Sequence, residues 1–514
     1  MAFRSIQSAI DNYIEKIGTK YNIENNRFKK WKTEILHMVE SKLSEMNLYQ
    51  YNSVLNDTEV KIALKKLKED FVLTPLDKAG NNLSIVCKKF YVETLKGVIE
   101  NSSYFIQSPE SELNLVSHHQ KYYETLKLSF DKKSEKLPFL YWISKIHKNP
   151  ISFRFITCGT LSSSSFLSEN VGYALKMLLK FTSNSSKYNC KFKCYNTYYI
   201  IDDHKDILKF METSNRNRKY GGSKNIRTYD FSNLYTSIPH NKLKTNIRKF
   251  ILEAFGMKNK MFINVTKEHA YFSNKRSNSS TVTFTNLELI EAVEYIINNS
   301  FIKFNGKIYK QVVGIPMGTS CAPYLANLFL YMYEKAFIEK LITNNKIKEA
   351  GLLKNIFRYQ DDLVVFNDKG YFDTVLNEIY PSELTLKNTN TSTRKSNYLD
   401  LTISIVNGKF RYQLFDKRGE FPFKVINYPF ISGNIPRIPS YGVYISHLNR
   451  FCYIFSESNN LVNTLKELNK KLIDQGYLRT TLERKFKVFT NRYLHLWCKF
   501  GVDMTSHDFI NDIF

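Results

Sequence analysis

Two adjacent aspartates, Asp361 and Asp362, lie at the centre of a stretch whose pattern predicts a β-hairpin. Aromatic, aliphatic and β-branched residues flank this polar tip on both sides, over residues 357–359 and 363–366, as in two strands joined by a tight turn. Adjacent carboxylates repel each other, and a divalent cation would neutralise them. Mg²⁺ prefers carboxylate oxygens and usually keeps waters and substrate phosphates as further ligands. Because Asp is common in surface turns, the pair acquires meaning only together with other residues.

A third carboxylate follows a second hydrophobic run. Residues 226–239 predict a strand that ends just after Asp230. An acid at that point could complete a metal cage with the two aspartates of the hairpin.

Cations occur in a further predicted hairpin, formed by two aromatic-rich segments on either side of a polar turn at residues 147–150. Lys145, Lys148 and Arg154 could face a triphosphate, since lysine and arginine are the side chains that bind phosphate. The alternative is that they are solvated charges on a strand edge that discourage aggregation.

Two glycines, Gly314 and Gly318, interrupt a loop that leads into a strongly apolar predicted helix at residues 324–334. Glycine lets another chain approach the backbone closely. The loop is therefore a candidate contact for a template or a nucleotide.

The helices and strands that position these residues are expected to pack around more than one hydrophobic core. A chain of 514 residues with 43% hydrophobic residues predicts two to four structural units. Residues 9–68 have a basic, helical pattern. Residues 71–87 predict a strand, a turn at Gly80-Asn81 and a second strand, whereas residues 259–280 predict a variable insertion or loop. Asn407-Gly408 indicates another hairpin, and residues 482–500 predict one of the helices that dominate the C-terminal part.

The charge balance points to a polyanionic partner. Lys and Arg number 74 against 48 Asp and Glu, a net charge of +26, which favours nucleic acid. A lysine-rich composition caused by codon bias is the alternative. Seven scattered cysteines predict reduced thiols in an intracellular compartment. Neither a signal peptide nor a membrane span is predicted, so we expect a soluble protein.

In their order along the chain, these motifs resemble those of Penelope-like retroelement reverse transcriptases, which are related to telomerase. The resemblance runs from about residue 74 to about residue 477 and is carried by several short motifs, namely Asp77-Lys78, Lys145-Ile146-His147-Lys148, residues 230–240, residues 314–323, Ala326-Asn327-Leu328-Phe329, Tyr359-Gln360-Asp361-Asp362 and Tyr398-Leu399-Asp400-Leu401.

The resemblance implies an α+β right-hand polymerase with fingers, palm and thumb. We expect a helical, basic N-terminal extension at residues 1–70, fingers and palm at residues 71–405, and a thumb-like region at residues 406–514. The implied activity is RNA-directed DNA synthesis from a primer 3′-hydroxyl, with an RNA template, a DNA primer, deoxynucleoside triphosphates and Mg²⁺, for which Mn²⁺ can substitute. It also implies a location in the nucleus.

Residue by residue, the resemblance gives catalytic and metal-binding roles to Asp230, Asp361 and Asp362. Asp361 lies 361 − 230 = 131 positions after Asp230 in the sequence. Nucleotidyl transfer requires two metal ions that activate the primer hydroxyl and hold the triphosphate. The resemblance places Tyr235 under the incoming sugar, where it would exclude a 2′-hydroxyl, although a core tyrosine is the alternative.

The remaining site residues have less specific roles. Lys145, Lys148 and Arg154 resemble the fingers cations that contact the triphosphate. Lys387 could protonate the leaving pyrophosphate or be simply a solvated lysine. Gln360 departs from the small or aliphatic residue expected before the aspartate pair, and the strand near Lys387 lacks an acid often found there.

A further departure is the absence of a recognisable GIY-YIG nuclease motif. Gly442-Val443-Tyr444 is similar to part of such a motif, but it lies within the polymerase segment. We therefore expect any nicking to come from a nuclease in trans. Two other functions stay open: a domesticated or telomerase-like host enzyme, and a catalytically retired copy that only binds nucleic acid.

Overall fold

A computed structural model describes residues 25–45, 57–128, 135–192, 194–216, 225–277, 282–433 and 436–514, together with residues 7, 10, 11, 13 and 14. The chain divides into two compact units, Met1–Phe71 and Val72–Phe514. The side chain of Cys190, one of the seven cysteines, lies outside the described part of the chain.

The first unit contains helices α1 (Asn25–Glu45) and α2 (Thr58–Asp70). Asp57 is the N-cap of α2. Its side chain accepts a hydrogen bond of 2.8 Å from the backbone N–H of Glu59, a donor of the first turn that has no partner within the helix. The prediction of a helical N-terminal extension is confirmed.

The second unit mixes helices and strands throughout. Its strands are β1 (Phe71–Leu76, which begins at the last residue of the first unit), β2 (Ala79–Cys87), β3 (Phe105–Ser108), β4 (Phe139–Lys145), β5 (Ser152–Cys158), β6 (Ile226–Ser232), β7 (Phe262–Val265), β8 (Ala270–Ser273), β9 (Val282–Phe284), β10 (Phe301–Phe304), β11 (Lys307–Gln311), β12 (Ile356–Tyr359), β13 (Asp362–Phe366), β14 (Thr385–Asn388), β15 (Lys395–Tyr398), β16 (Leu401–Val406) and β17 (Lys409–Leu414). Its α-helices are α3 (Lys88–Glu100), α4 (Glu112–Thr125), α5 (Ser165–Phe192), α6 (Lys205–Arg216), α7 (Leu234–Ser237), α8 (His240–Lys258), α9 (Asn286–Asn298), α10 (Ala322–Thr343), α11 (Ile347–Leu352), α12 (Tyr371–Ile379), α13 (Arg437–Ile454), α14 (Ser458–Asp474), α15 (Arg479–Arg492), α16 (Leu494–Trp497) and α17 (His507–Ile513).

The palm is an antiparallel sheet of four strands in the order β12-β13-β6-β14. Alternate residues of β13 point to opposite faces, and each face meets a different core. Leu363 and Val365 join the larger core, which includes much of helix α10. Val364 and Phe366 join a second core shared with the C-terminal helices. The sheet is thus supported on both faces, and the predicted Asp-Asp hairpin, β12–β13, is confirmed.

The fingers contain a five-stranded sheet of order β3-β11-β10-β4-β5 and the separate β1–β2 hairpin. Trp142 of β4 is fully buried at the centre of the fingers core. The predicted β4–β5 hairpin is confirmed, and it pairs Lys145 with Ser152.

The turn predicted at Gly80-Asn81 is wrong. Strand β1 ends at Leu76 and β2 begins at Ala79, so the turn consists of Asp77 and Lys78. Lys78 adopts the left-handed conformation, with φ of 62°, that such a short turn requires.

For residues 259–280 the sequence predicted a variable insertion or a loop, and of these two the structureless loop is wrong. The described part of this segment contains β7 and β8, which form a small sheet with β9 in the order β8-β7-β9. The buried Asn264 holds this sheet together, since its side chain donates to the Lys275 carbonyl and accepts from the Thr283 hydroxyl. The polar composition favoured a loop, because composition alone does not show that an asparagine is buried and that its hydrogen bonds stabilise a sheet.

The C-terminal region is mainly helical, as predicted, but residues 482–500 do not form one helix. Helix α15 ends at Arg492, and the shorter α16 follows after Tyr493. Gly442 and Tyr444 lie inside helix α13, where the tyrosine is fully buried. No helix among the described residues is long and apolar enough to cross a membrane.

Candidate active site

The register of the palm sheet brings two of the three aspartates face to face. Asp362 is paired directly with Asp230 across β13 and β6, and directly paired residues share one face of a sheet. Asp361 lies in the two-residue turn beside them, and its carbonyl accepts a hydrogen bond of 3.1 Å from the N–H of Phe231. The prediction was that this strand ends just after Asp230. Strand β6 ends at Ser232, two residues beyond the aspartate.

These carboxylates open into a cavity of about 700 Å³. Its charged and histidine lining residues are Asp77, Lys78, Lys145, His147, Lys148, Arg154, Asp230, Asp361, Asp362, Lys395, Lys417 and Glu420. The three predicted acids and the three predicted fingers cations are thus brought together at one cavity. Such a mixture of acids and cations could bind a metal and a polyphosphate at the same time.

Burial and mutual repulsion control the titration of the aspartates. Burial raises the pKa of Asp362 to about 6, and the charge of Asp361 adds to the effect. The pKa of Asp230 is also raised, first by burial and then by Asp361. Lys417 opposes both shifts. Without a bound cation the site therefore holds more negative charge than its surroundings stabilise.

The cations of the cavity are crowded as well. Burial lowers the pKa of Lys145, and Arg154 lowers it further. Burial likewise lowers the pKa of Lys78, with Lys417 as the next cause. Like charges gathered in this way destabilise an empty site, and an anionic ligand would relieve the repulsion.

The donor set fits a hard divalent cation. Carboxylate oxygens are the ligands that Mg²⁺ prefers, and Mg²⁺ usually needs only one or two protein carboxylates. Within the described residues, no three His, Cys, Asp or Glu side chains form a ready-made metal-binding group. The complete metal cage therefore stays a prediction, and waters or substrate phosphates would supply the remaining ligands.

Tyr235 lies beside the turn rather than in the lining of the cavity. It is half-buried against the larger core, and its hydroxyl donates a hydrogen bond of 3.1 Å to Oε1 of Gln360. Gln360 has the left-handed φ of 55°, which disfavours every residue except glycine. The Gln360 side chain is therefore a hydrogen-bond partner of Tyr235. This contact was not predicted from the sequence.

The two glycines serve contacts within the protein. A Cβ on Gly314 would lie 2.5 Å from the Tyr235 carbonyl oxygen, and one on Gly318 would lie 2.3 Å from that of Thr157. Both have positive φ, 86° and 104°. Neither glycine lines the cavity. Both glycines thus allow a close approach to the protein's own backbone, and a contact of this loop with a template or a nucleotide stays a prediction.

Lys387 is paired with Asp230 across β14 and β6, so it lies on the face of the sheet that carries the aspartates. Its side chain is exposed and is not part of the cavity lining. A role in proton transfer stays a prediction.

Sequence reasoning missed Lys417, Lys395 and His147 as cavity residues. His147 stands between two predicted cations and could have been included. Lys417 carries no local signal, because it follows the β16–β17 hairpin and reaches the cavity only through the path of the chain.

No protein-family model and no curated protein matches the chain at a significant level. Among solved structures, telomerase from Candida albicans in complex with a TWJ fragment of telomeric RNA is 12% identical, with a TM-score of 0.58 over 96% of this chain and 75% of that chain. Apo telomerase from Candida tropicalis is 12% identical, with a TM-score of 0.47 over 96% of this chain and 75% of that one. The RNA-dependent RNA polymerase 3Dpol of Sicinivirus is 9% identical, with a TM-score of 0.30 over 52% and 50%.

The likeness to the Candida albicans structure is one of fold. This likeness, together with the palm sheet and its central aspartates, shows that the chain has the α+β right-hand polymerase fold.

Proposed function

We propose that this protein is an RNA-directed DNA polymerase that extends a primer 3′-hydroxyl on an RNA template with deoxynucleoside triphosphates. The observation that carries the proposal is the pairing of Asp362 with Asp230 beside Asp361, at a cavity lined with cations from the fingers. This arrangement matches the needs of nucleotidyl transfer, in which acids hold metal ions and cations hold a triphosphate.

Asp230 and Asp361 would hold Mg²⁺, with Asp362 as the supporting acid, and Mn²⁺ can substitute. Bound there, the two ions would supply activation of the primer hydroxyl and neutralisation of the triphosphate. Lys145, Lys148 and Arg154 bind the triphosphate from the fingers side of the cavity. Arg154 is already oriented by Asp77, whose Oδ1 lies 3.3 Å from Nη1 of the arginine.

Two further residues complete the proposed chemistry. Tyr235, fixed by Gln360, discriminates against a 2′-hydroxyl on the incoming sugar. Lys387, in register with Asp230, gives a proton to the departing pyrophosphate. The excess of 26 positive charges suits a protein that grips a duplex through its phosphates.

Within this class, the sequence motifs favour a Penelope-like retroelement enzyme that works in the nucleus, with any nuclease supplied in trans. A telomerase-like or domesticated host enzyme would instead carry one specific RNA. Sequencing the RNA that co-purifies with the protein separates these two: a single dominant RNA species favours the host enzyme.

The proposal is tested by primer extension on matched RNA and DNA templates, each with deoxynucleotides or ribonucleotides, in Mg²⁺. We expect extension with deoxynucleotides on the RNA template, and none with Asp361→Asn. Extension with ribonucleotides alone would make the protein an RNA polymerase. Tight binding of the primer–template without any extension would favour a retired, binding-only copy.

A further inference from the structure

The segment that connects β17 to the C-terminal helices lines part of the candidate active-site cavity. Residues 415–431, here called the linker, join β17 to the segment before α13. Within the linker, Phe415, Lys417 and Glu420 line the cavity that contains the three aspartates. The linker thus forms part of the cavity wall.

The fingers hold the linker through the side chain of Asn82 on strand β2. Asn82 Oδ1 accepts a hydrogen bond of 3.1 Å from the backbone N–H of Ile426, and Asn82 Nδ2 donates one of 3.3 Å to the carbonyl of the same residue. Asn81 adds a third bond, 3.1 Å long, from Nδ2 to the Asn427 carbonyl. A side-chain amide that pairs with both backbone groups of one residue fixes that residue as a neighbouring strand would.

Apolar packing strengthens the same contact. Phe421 of the linker is buried against Leu76 and Ala79, the residues on either side of the β1–β2 turn. Its ring also lies 5.3 Å from that of His147, centroid to centroid. Both fingers hairpins therefore touch the linker.

The far end of the linker is tied to the C-terminal helices. The hydroxyl of Tyr428 is hydrogen-bonded to Nε2 of His447 on α13, at 2.9 Å. The N–H of Ile431 donates to the carbonyl of Gln475, at 3.0 Å. The linker is thus fixed both to the fingers and to the C-terminal helices.

Lys417 is presented to the cavity by a short, capped turn. Residues Lys417–Glu420 form a 3₁₀ turn whose first N–H groups face Asp416, and the Asp416 side chain accepts from the N–H of Arg418 at 3.0 Å. The guanidinium of Arg418 binds the same carboxylate, with Nε 2.6 Å from Oδ1. These contacts set the backbone from which the Lys417 side chain reaches the cavity.

The charges around Lys417 define what it can bind. It lines the same cavity as Lys78, Lys148 and the three aspartates. The mutual repulsion of the lysines is visible in the pKa of Lys78, which is lowered by burial and then by Lys417. Cations from three separate chain segments around one cavity are suited to a multivalent anion, and a nucleoside triphosphate has that chemistry.

We propose that Lys417 is a triphosphate-binding residue of the incoming nucleotide, and that Asn82 positions it by holding the linker against the fingers. The proposal rests on the proposed polymerase function and adds a third source of phosphate contacts to the palm and the fingers. Asn82 does not line the cavity, so the proposal means that a residue of the fingers outside the cavity lining affects nucleotide affinity.

The test is single-turnover incorporation of one deoxynucleotide, which separates the nucleotide dissociation constant from the maximal rate. We expect Lys417→Ala to weaken nucleotide binding about 10-fold or more, as for the loss of a hydrogen bond to a charged group. Lys417→Arg should restore most of the affinity. Lys424→Ala removes a charge from the same linker outside the cavity lining and should leave both constants unchanged.

Asn82→Ala is expected to weaken nucleotide binding in the wild-type background but to have little further effect in Lys417→Ala, because Asn82 acts through Lys417. Unchanged nucleotide affinity in an active Lys417→Ala enzyme would overturn the role of Lys417. Additive effects of the two substitutions would overturn the positioning role of Asn82. A wild-type protein that incorporates no nucleotide would instead refute the polymerase function itself.

Discussion

Arg358 and Glu334 form a fully buried ion pair beneath the turn that carries Asp361. Nε of the arginine lies 2.6 Å from Oε1 of the glutamate and Nη2 lies 3.1 Å from Oε2, and neither side chain is exposed to solvent. The remaining Nη1 donates to the carbonyl of Gln360 at 3.1 Å and to Oδ1 of Asn327 at 2.7 Å. One arginine thereby connects helix α10 to the backbone of the Asp361 turn.

We expect Arg358→Met to destabilise the protein by about 3–5 kcal/mol, because it leaves Glu334 as an unpaired buried charge. Replacing both residues, with Glu334→Leu as the second change, should recover a large part of the loss. Urea unfolding measures both effects. The control is Arg248→Met, which breaks the partly exposed pair with Glu294 and should cost less than about 1 kcal/mol. Equal losses in the two single variants would contradict a structural role for the buried pair.

Asp361→Asn should abolish primer extension while leaving the fold and the affinity for a primer–template nearly intact. The substitution removes one negative charge from a half-buried turn residue and replaces no core side chain. Extension and a filter-binding assay on the same preparations measure the two effects. Asp474→Asn, at the exposed end of α14, is the matched control. An Asp361→Asn protein that extends at the wild-type rate would remove this aspartate from the proposed metal site.

Tyr235→Ala should admit ribonucleotides while keeping most incorporation of deoxynucleotides, since it opens space without touching a metal ligand. Gln360→Leu should have a smaller effect in the same direction, because it removes the acceptor of the Tyr235 hydroxyl but leaves the ring in place. The ratio of ribonucleotide to deoxynucleotide incorporation is the measurement. If neither change alters this ratio, Tyr235 is a core residue and not a sugar gate.

The Asp362→Asn variant should be more stable than wild type in metal-free buffer at neutral pH. The pKa of Asp362 rises from 3.8 to about 6 on folding, mainly through burial, so the folded state binds this proton more tightly than the unfolded state. The contribution of Asp362 to wild-type stability therefore falls as the pH rises from about 4 to 6, and the loss from this group amounts to at most about 3 kcal/mol.

Thermal or urea unfolding across that pH window tests the prediction. The advantage of Asp362→Asn should grow between pH 4 and 6, stay level above that window, and shrink when Mg²⁺ is added. A difference that does not vary with pH would mean that the carboxyl titrates alike in the folded and unfolded protein.

Primer–template binding should weaken steeply with salt, because neutralising phosphates releases counterions. Six or more phosphate contacts imply a loss of roughly 10³-fold or more between 50 and 200 mM salt. Fluorescence anisotropy with a labelled duplex provides the measurement. A flat response would show that the net charge of +26 reflects composition and not a binding surface.

The sequence by itself determined the elements that depend on neighbouring residues. The Asp-Asp hairpin, the β4–β5 hairpin and the β16–β17 hairpin at Asn407-Gly408 all follow from local periodicity and turn chemistry. These patterns repeat over two to four residues, so they can be recognised before the fold is known. The three aspartates and the fingers cations could also be singled out from such local motifs in the sequence.

Only the tertiary structure decided which of these residues meet. The register that pairs Asp362 with Asp230 depends on how two distant strands align, and a shift of one residue would turn the side chains to the other face. Asn82 carries no local signal of its role, because its hydrogen-bond partner, Ile426, lies 344 residues further along the chain. Lys417 reaches the cavity for the same reason: the path of the linker, not a local pattern, places it there. Such contacts are set by packing between segments, and no local pattern encodes them.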